Sequence, residues 1–261
     1  ESLPQTINSK TAMIFTETIT NPLLEIPDLE RIGEIASEHC VPFVVDNTVG
    51  TPVNCQPLDY NADYVIHSTT KYLSGSNDHA GGAVLVKNSM DANALDNFQR
   101  CWEMKISHLE AAALWEYMQD FQERMERFNN NGTILAEFLA EHFAVDFVYH
   151  PFLSTNSSYA EAKKLLKGNG GVVSFTLKDE SENALKKFYD REFSSIIKAP
   201  SIGSNLTLIC PYTLLTNYFY TDEELKEINL PRYLIRISAG CETETERILE
   251  DLDFALKRTI Y

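Results

Sequence analysis

The sequence predicts an α/β fold that passes into an α+β half, on three observations. Two short apolar runs, Phe43 to Val45 and Tyr64 to Ile66, are each closed by polar residues: Asp46 after the first, then His67, Ser68, Thr70 and Lys71 after the second. A helical segment precedes the first run, with Leu29, Ile32, Ile35 and Ala36 at a period near 3.6. Such strands joined by helical crossovers form a parallel sheet. From Thr133 onward, apolar runs and helical stretches alternate over shorter distances, as in an α+β domain.

In chain order, residues 1–10 are polar and read as loop or a helix end, and Ala12 to Thr16 as a strand leading to Glu17. Pro22 restricts Asn21 to extended backbone. Asp28 to His39 forms the crossover helix, and residues 54–61 form a connection to the second run. Ala83 to Val86 is a further strand after Gly81-Gly82. Asp91 to Asn131 reads as mostly helical, with Trp102, Leu109, Ala113, Met118 and Phe121 as core. The N-N-N-G stretch at 129–132 breaks that pattern, which sets domains at 1–131 and 132–261. The second half then reads as a helix through His142, a strand near Phe147, a helix Tyr159 to Leu166, a strand Val172 to Leu177, a helix Glu182 to Arg191, the strand around Arg236 and a closing helix Glu244 to Arg258.

The 261 residues, 44% hydrophobic, suffice for a buried core in one or two domains. A formal charge of −16, from 22 basic and 38 acidic residues, argues against nucleic acid or an anionic membrane as partner. The five scattered cysteines include no C-x-x-C pair, so they read as reduced cytoplasmic thiols and give no disulfide frame or metal site. No run of about 18 apolar residues offers a membrane span. No G-x-G-x-x-G or P-loop occurs, and G-N-G-G at 168–171 is too weak a signal for a nucleotide.

In parallel sheets ligands bind beyond the carboxyl ends of the strands, where Asp46, Ser68, Thr70 and Lys71 all fall. An amine, a carboxylate and two hydroxyls there suit pyridoxal phosphate, which takes a lysine for its Schiff base, an acidic partner for its ring nitrogen and donors for its phosphate. Arg236, between Ile235 and Ile237, reads as a partly buried two-pronged donor that needs an anion, met by a carboxylate ligand or an internal salt bridge.

E-T-I-T-N-P at 17–22, D-N-T with Pro52 at 46–52, and H-S-T-T-K-Y at 67–72 followed by Gly81-Gly82 resemble the Cys/Met-metabolism family of pyridoxal-phosphate enzymes: cystathionine γ-synthases, γ-lyases and β-lyases, and homoserine sulfhydrylases. G-G-V-V-S-F at 170–175 and R-I-S-A-G with Glu242 at 236–242 extend the resemblance into the second half. It implies a fold-type-I, aspartate-aminotransferase-like large domain followed by a smaller α+β C-terminal domain. It gives Lys71 and Asp46 catalytic roles, Ser68 and Thr70 the phosphate, and Asn21, Arg236 and Ser201 the substrate carboxylate, with Asn21 also beside the cofactor ring. The activity implied is making or breaking a carbon–sulfur bond at Cβ or Cγ, with a sulfur amino acid or an activated homoserine ester as substrate. A homodimer or homotetramer is the expected assembly. Family members carry a segment ahead of E-T-x-x-N-P that supplies part of the cofactor site, so this chain reads as the C-terminal portion of a longer protein, inactive by itself.

The pattern departs at Val49, Asn61 and Ser76-Asn77, at Glu116-Tyr117 in place of Arg-Gly, and in the loop at Pro200, Asn205-Leu206 and Cys210 to Asn217, around a Ser201-Ile202-Gly203-Ser204 that resembles the family's S-L-G-G. The last two put the substrate preference in question. A catalytically impaired relative, or a different pyridoxal-phosphate reaction, is the alternative reading.

Overall fold

The computed structural model describes residues 3–260. Its first sheet holds β1 (Ile14–Glu17), β2 (Phe43–Asp46), β3 (Tyr64–Ser68) and β4 (Gly82–Val86), adjacent in that order. β1, β2 and β3 are parallel, while β4 runs antiparallel to β3. Parallel neighbours need a crossover, and between β1 and β2 it is the helix Leu29–His39. Asp28 caps that helix by accepting the Arg31 amide proton, and Leu29, Gly33, Ile35 and Ala36 form its buried face. Phe43, Val44 and Val45 are all buried, as in a strand covered on both sides. Between β2 and β3 lie two short helical turns, Thr51–Asn54 and Pro57–Tyr60, each with a proline in its opening turn, where the missing N–H costs nothing.

The second sheet comprises β5 (Val145–Tyr149), β6 (Val172–Leu177), β7 (Ile197–Lys198), β8 (Leu208–Pro211) and β9 (Ile235–Ser238), in the spatial order β5-β6-β9-β8-β7. β6 and β9 are buried along their whole length. Helices Glu182–Tyr189 and Glu246–Lys257 share their apolar cluster through Leu185, Phe188, Ile248 and Leu252. β7 and β8 were not foreseen: a two-residue strand carries no periodicity, and Leu208–Pro211 ends on a residue that breaks strands.

Two sequence expectations are corrected. The helix Phe121–Glu141 runs unbroken through N-N-N-G. Its first half, with Met125 and Phe128, belongs to one apolar cluster and its second, with Leu135 and Leu139, to the other. The asparagines stay helical because tertiary partners take up their polar groups, which otherwise compete with the helix. Asn129 and Asn54 exchange hydrogen bonds of 3.0 and 2.8 Å, and Asn131 donates to the carbonyls of Gly240 and Glu242, both at 3.0 Å. Second, Trp102, Leu109, Ala113 and Met118 are exposed, and of the expected core set only Phe121 is buried. Periodicity identifies an apolar face but not what covers it, and the helices Ser89–Cys101 and His108–Tyr117 bury no residue among those described. No helix among the described residues is long and apolar enough to cross a membrane.

Gly132 tests the joint between the halves. A Cβ there would stand 2.8 Å from the Gly171 Cα and 2.6 Å from Asn169 Oδ1. Gly132→Ala gains about 1 kcal/mol in helix propensity but overpacks against backbone, which costs about 1–3 kcal/mol. Net destabilisation by urea titration is expected; a stabilised variant would show that the helix can move off the second sheet.

Candidate active site

The carboxyl ends of β1, β2 and β3 are tied together by the residues that follow them. The Thr18 amide donates to the Asp46 carbonyl at 3.0 Å and the Asn47 amide to the Ile66 carbonyl at 2.8 Å. Asn47, fully buried, accepts from Thr18 Oγ1 and donates to the Cys55 carbonyl. Thr48 links the next two residues: its amide donates to Asp46 Oδ1 and its hydroxyl accepts from the Ser68 amide, both at 2.9 Å. Of D-N-T, then, the last two residues hold the strand ends in place while Asp46 keeps its other oxygen free of hydrogen bonds among the described residues. Glu17, opposite Asp46 in the β1–β2 register, accepts the Asn21 amide proton. Burial raises its carboxyl pKa, and the nearby Asp46 charge adds to the rise. His67 is buried with Nδ1 unpaired, and desolvation lowers its pKa against the pull of Asp46.

Lys71 lies beyond β3 on a single helical turn, Thr69–Leu73. Arg124 holds that turn: buried itself, it donates to the carbonyls of Tyr72 at 2.9 Å and Leu73 at 3.1 Å. From the second sheet, the loop at 201–205 comes down on the same turn. Gly203, at φ +66°, packs so closely that a Cβ would stand 2.6 Å from the Tyr72 amide nitrogen, and the Asn205 amide donates to the Gly75 carbonyl at 2.7 Å. This contact sets Ser201 against the lysine, whose Nζ donates to Ser201 Oγ at 2.9 Å. Partial burial, and then the charge of Arg236, lower the Lys71 pKa, which favours the neutral amine.

Arg236, 4% exposed on β9, donates through Nη1 to Asn21 Oδ1 at 2.9 Å and through Nη2 to the carbonyls of Pro200 and Ser201 at 2.5 and 3.1 Å. Its guanidinium lies 4.8 Å from the Tyr212 ring centroid, and its Nε is buried without a partner. No carboxylate pairs with it among the described residues, so the internal salt bridge left open by the sequence is absent there.

The expected residues thus fall into two groups. Lys71, Ser201, Arg236 and Asn21 are joined by direct hydrogen bonds. Asp46 and Ser68 stand at the ends of β2 and β3 and Thr70 on the lysine turn, with no side-chain hydrogen bond to that group among the described residues; Asp46 and Ser68 are linked through Thr48, and Thr70 Oγ1 accepts the Gly81 amide proton at 3.2 Å. Sequence reasoning missed Thr48, Tyr212 and Asn77 as parts of the site. Tyr212 and Asn77 fall where the chain departs from the resemblance, and that departure was the available signal.

This donor set fits pyridoxal phosphate: a lysine with a lowered pKa, a carboxylate with one free oxygen, hydroxyls at a strand end, and a buried arginine lacking a counterion. The family model for Cys/Met metabolism PLP-dependent enzymes matches residues 1–257. The chain belongs to this family. It is 33% identical over 258 residues to the cystathionine beta-lyase of Lactococcus lactis subsp. cremoris, covering 99% of this chain and 67% of that one. The structure of cystathionine gamma-lyase from Lactobacillus plantarum, complexed with L-serine, superposes at a TM-score of 0.92 with 29% identity, over 98% of this chain and 66% of that one. Cystathionine gamma synthase from Xanthomonas oryzae pv. oryzae, in complex with aminoacrylate and cysteine, gives 0.90 with 32% identity, over 95% and 64%. The Cys/Met-metabolism fold expected from the motifs is borne out, and the chain spans about two thirds of the length of these relatives.

Arg236→Met removes the charge that faces Lys71 while keeping most of the volume. The Lys71 amine should then titrate at higher pH, nearer its ordinary 10.5, as read by acetic anhydride labelling across pH with mass spectrometry of the Lys71 peptide. An unchanged profile would show that burial alone sets the amine's pKa.

Proposed function

We propose that this chain carries the chemistry of a pyridoxal-phosphate-dependent trans-sulfuration enzyme, which makes or breaks the bond between sulfur and Cβ or Cγ of an amino acid. One observation carries the reading: Lys71 and the buried Arg236, which has no carboxylate partner among the described residues, meet at Ser201. A buried charge without a counterion costs several kcal/mol, and a ligand's α-carboxylate offsets that cost.

Lys71 would hold the cofactor through its amine, Asp46 would favour a protonated ring nitrogen, and the hydroxyls of Ser68 and Thr70 would be donors for the phosphate. When bound, pyridoxal phosphate supplies an electron sink for charge developing at the amino acid's Cα. Arg236 grips the α-carboxylate with Asn21 and Ser201 beside it, which fixes the Cα–H bond relative to Lys71. The lowered pKa of Lys71 suits it to accept the Cα proton and return it to the leaving group or product. The substrate is a sulfur amino acid or an activated homoserine ester, with which the relatives' beta-lyase, gamma-lyase and gamma-synthase names agree.

Residues 1–131 form part of the cofactor-binding domain and 132–261 the C-terminal domain, with the helix Phe121–Glu141 shared between them. The exposed side chains of Trp102, Leu109 and Trp115 support assembly as a homodimer or homotetramer, and five unpaired cysteines suit the cytoplasm.

With the protein that carries this chain, added pyridoxal phosphate should give a visible absorbance band that Lys71→Ala abolishes without changing the far-UV circular dichroism. Incubation with cystathionine should release α-keto acid and thiol, or run in the synthetic direction from an activated homoserine and cysteine. Asp46→Asn should keep the cofactor and lose activity by roughly 10²-fold or more. Arg236→Lys should chiefly raise KM. Absence of both the band and the products would end this reading.

A further inference from the structure

The Ser201 hydroxyl stands between two side chains. It accepts from Lys71 Nζ at 2.9 Å and donates to Asn77 Oδ1 at 2.5 Å. The geometry fixes these directions. Asn77 Nδ2 donates to the Ile202 carbonyl at 3.3 Å. A carbonyl oxygen can only accept, so the amide must present its NH₂ to Ile202 and its oxygen to Ser201. The amide oxygen has no proton to give, so the single hydroxyl hydrogen of Ser201 goes to Asn77, and only oxygen lone pairs remain for the lysine. Asn77 adopts φ +60°, a left-handed conformation that asparagine tolerates better than most residues. It lies on the loop between the lysine turn and β4, and reaches across to the Ser201 loop beside β9.

A neutral amine has two hydrogens and one lone pair. Held as a donor to Ser201, Lys71 keeps that lone pair free; were the serine hydrogen to turn toward it, an O–H···N bond would occupy the pair that any nucleophilic or basic role requires. We infer that Asn77 is a positioning residue that takes the Ser201 hydrogen and thereby leaves the Lys71 lone pair available to a carbonyl or to a substrate proton. The inference deepens the proposed function and rests on it for its biological meaning. Its geometry, however, concerns only this chain's residues. Arg236, packed beside the pair from β9, is the charged group set against Lys71 and supplies neither donor nor acceptor to this relay.

The test reads the amine without cofactor or turnover. Acetic anhydride acetylates a neutral lysine: the nitrogen lone pair forms the N–C bond, acetate leaves, and the amine proton goes to water. The plateau rate for Lys71 at high pH, measured by mass spectrometry against surface lysines of the same protein, reports lone-pair availability separately from pKa. Asn77→Gly accepts φ +60° without a side chain and should lower this plateau roughly two- to tenfold, the factor set by the net worth of one hydrogen bond. Ser201→Ala added to Asn77→Gly should restore it, because no hydroxyl is left to turn; a merely structural role for Asn77 would give no rescue. Ser201→Ala alone should leave the plateau near that of the unmodified protein. An unchanged plateau in Asn77→Gly, absence of rescue in the double variant, or a severalfold rise in Ser201→Ala alone would each overturn the inference. None of these readouts depends on the pyridoxal-phosphate assays, so a failure here and a failure of the proposed function are separately visible.

Discussion

Gly203 lies against the backbone of Tyr72 with no room for a Cβ, and the site depends on that approach. Lys71 belongs to the first sheet's connections, whereas Ser201 and Arg236 come from loops and strands of the second. The two groups share a site because the loop at 201–205 seats on the lysine turn, pinned by Asn205 to Gly75 on one side and by Gly203 to the Ser238 hydroxyl on the other. From beneath, Arg124 takes the carbonyls of the same turn, and Gly75, at φ +73°, leaves space for its guanidinium. A side chain larger than hydrogen at either glycine would part the two sheets where the amine and the guanidinium meet.

Two buried arginines show how differently the same group is used. Arg124 donates to three backbone carbonyls and pairs with Asp120, so its charge is neutralised and its donors are largely spent. Arg236 donates to one amide oxygen and two carbonyls, rests against Tyr212, and keeps Nε unpaired with no carboxylate among the described residues. The first arrangement stabilises a turn. The second leaves a buried positive charge that no carboxylate among the described residues neutralises, and burial strengthens its attraction for an anion. That potential also acts on Lys71, which it helps to keep in the form able to accept a proton.

The relatives carry beta-lyase, gamma-lyase and gamma-synthase names at nearly equal identity. In this chain the amine, the carboxylate at the end of β2 and the arginine on β9 are the groups proposed above to handle the amino-acid end of a substrate. The region where the sequence departs from the family pattern becomes β8 and the turn that carries Tyr212, directly behind Arg236. Differences in substrate would therefore be expressed through the surroundings of the carboxylate grip and through the far end of the ligand.

The sequence by itself determined the strand that ends in Asp46, the strand that leads to Lys71, the crossover helix, and the strand around Arg236, because each is a local pattern: an apolar run of the right length or a 3.6-residue period. It also marked Lys71, Asp46 and Arg236 as chemistry through the motifs around them and their resemblance to a known family, since an isolated lysine or aspartate there reads as solvated or capping and an isolated arginine as half of a salt bridge. The tertiary structure alone decided that N-N-N-G stays helical, because the partners that satisfy Asn131 lie more than 100 residues away at Gly240 and Glu242. Only the fold could place Trp102 and Leu109 on the surface, since periodicity gives a helix an apolar side without supplying anything to cover it. Likewise the meeting of Asn77, Ser201 and Lys71 spans 124 and 130 residues of chain. No local pattern encodes the direction of a serine proton; it follows from which acceptors the packed sheets bring within reach.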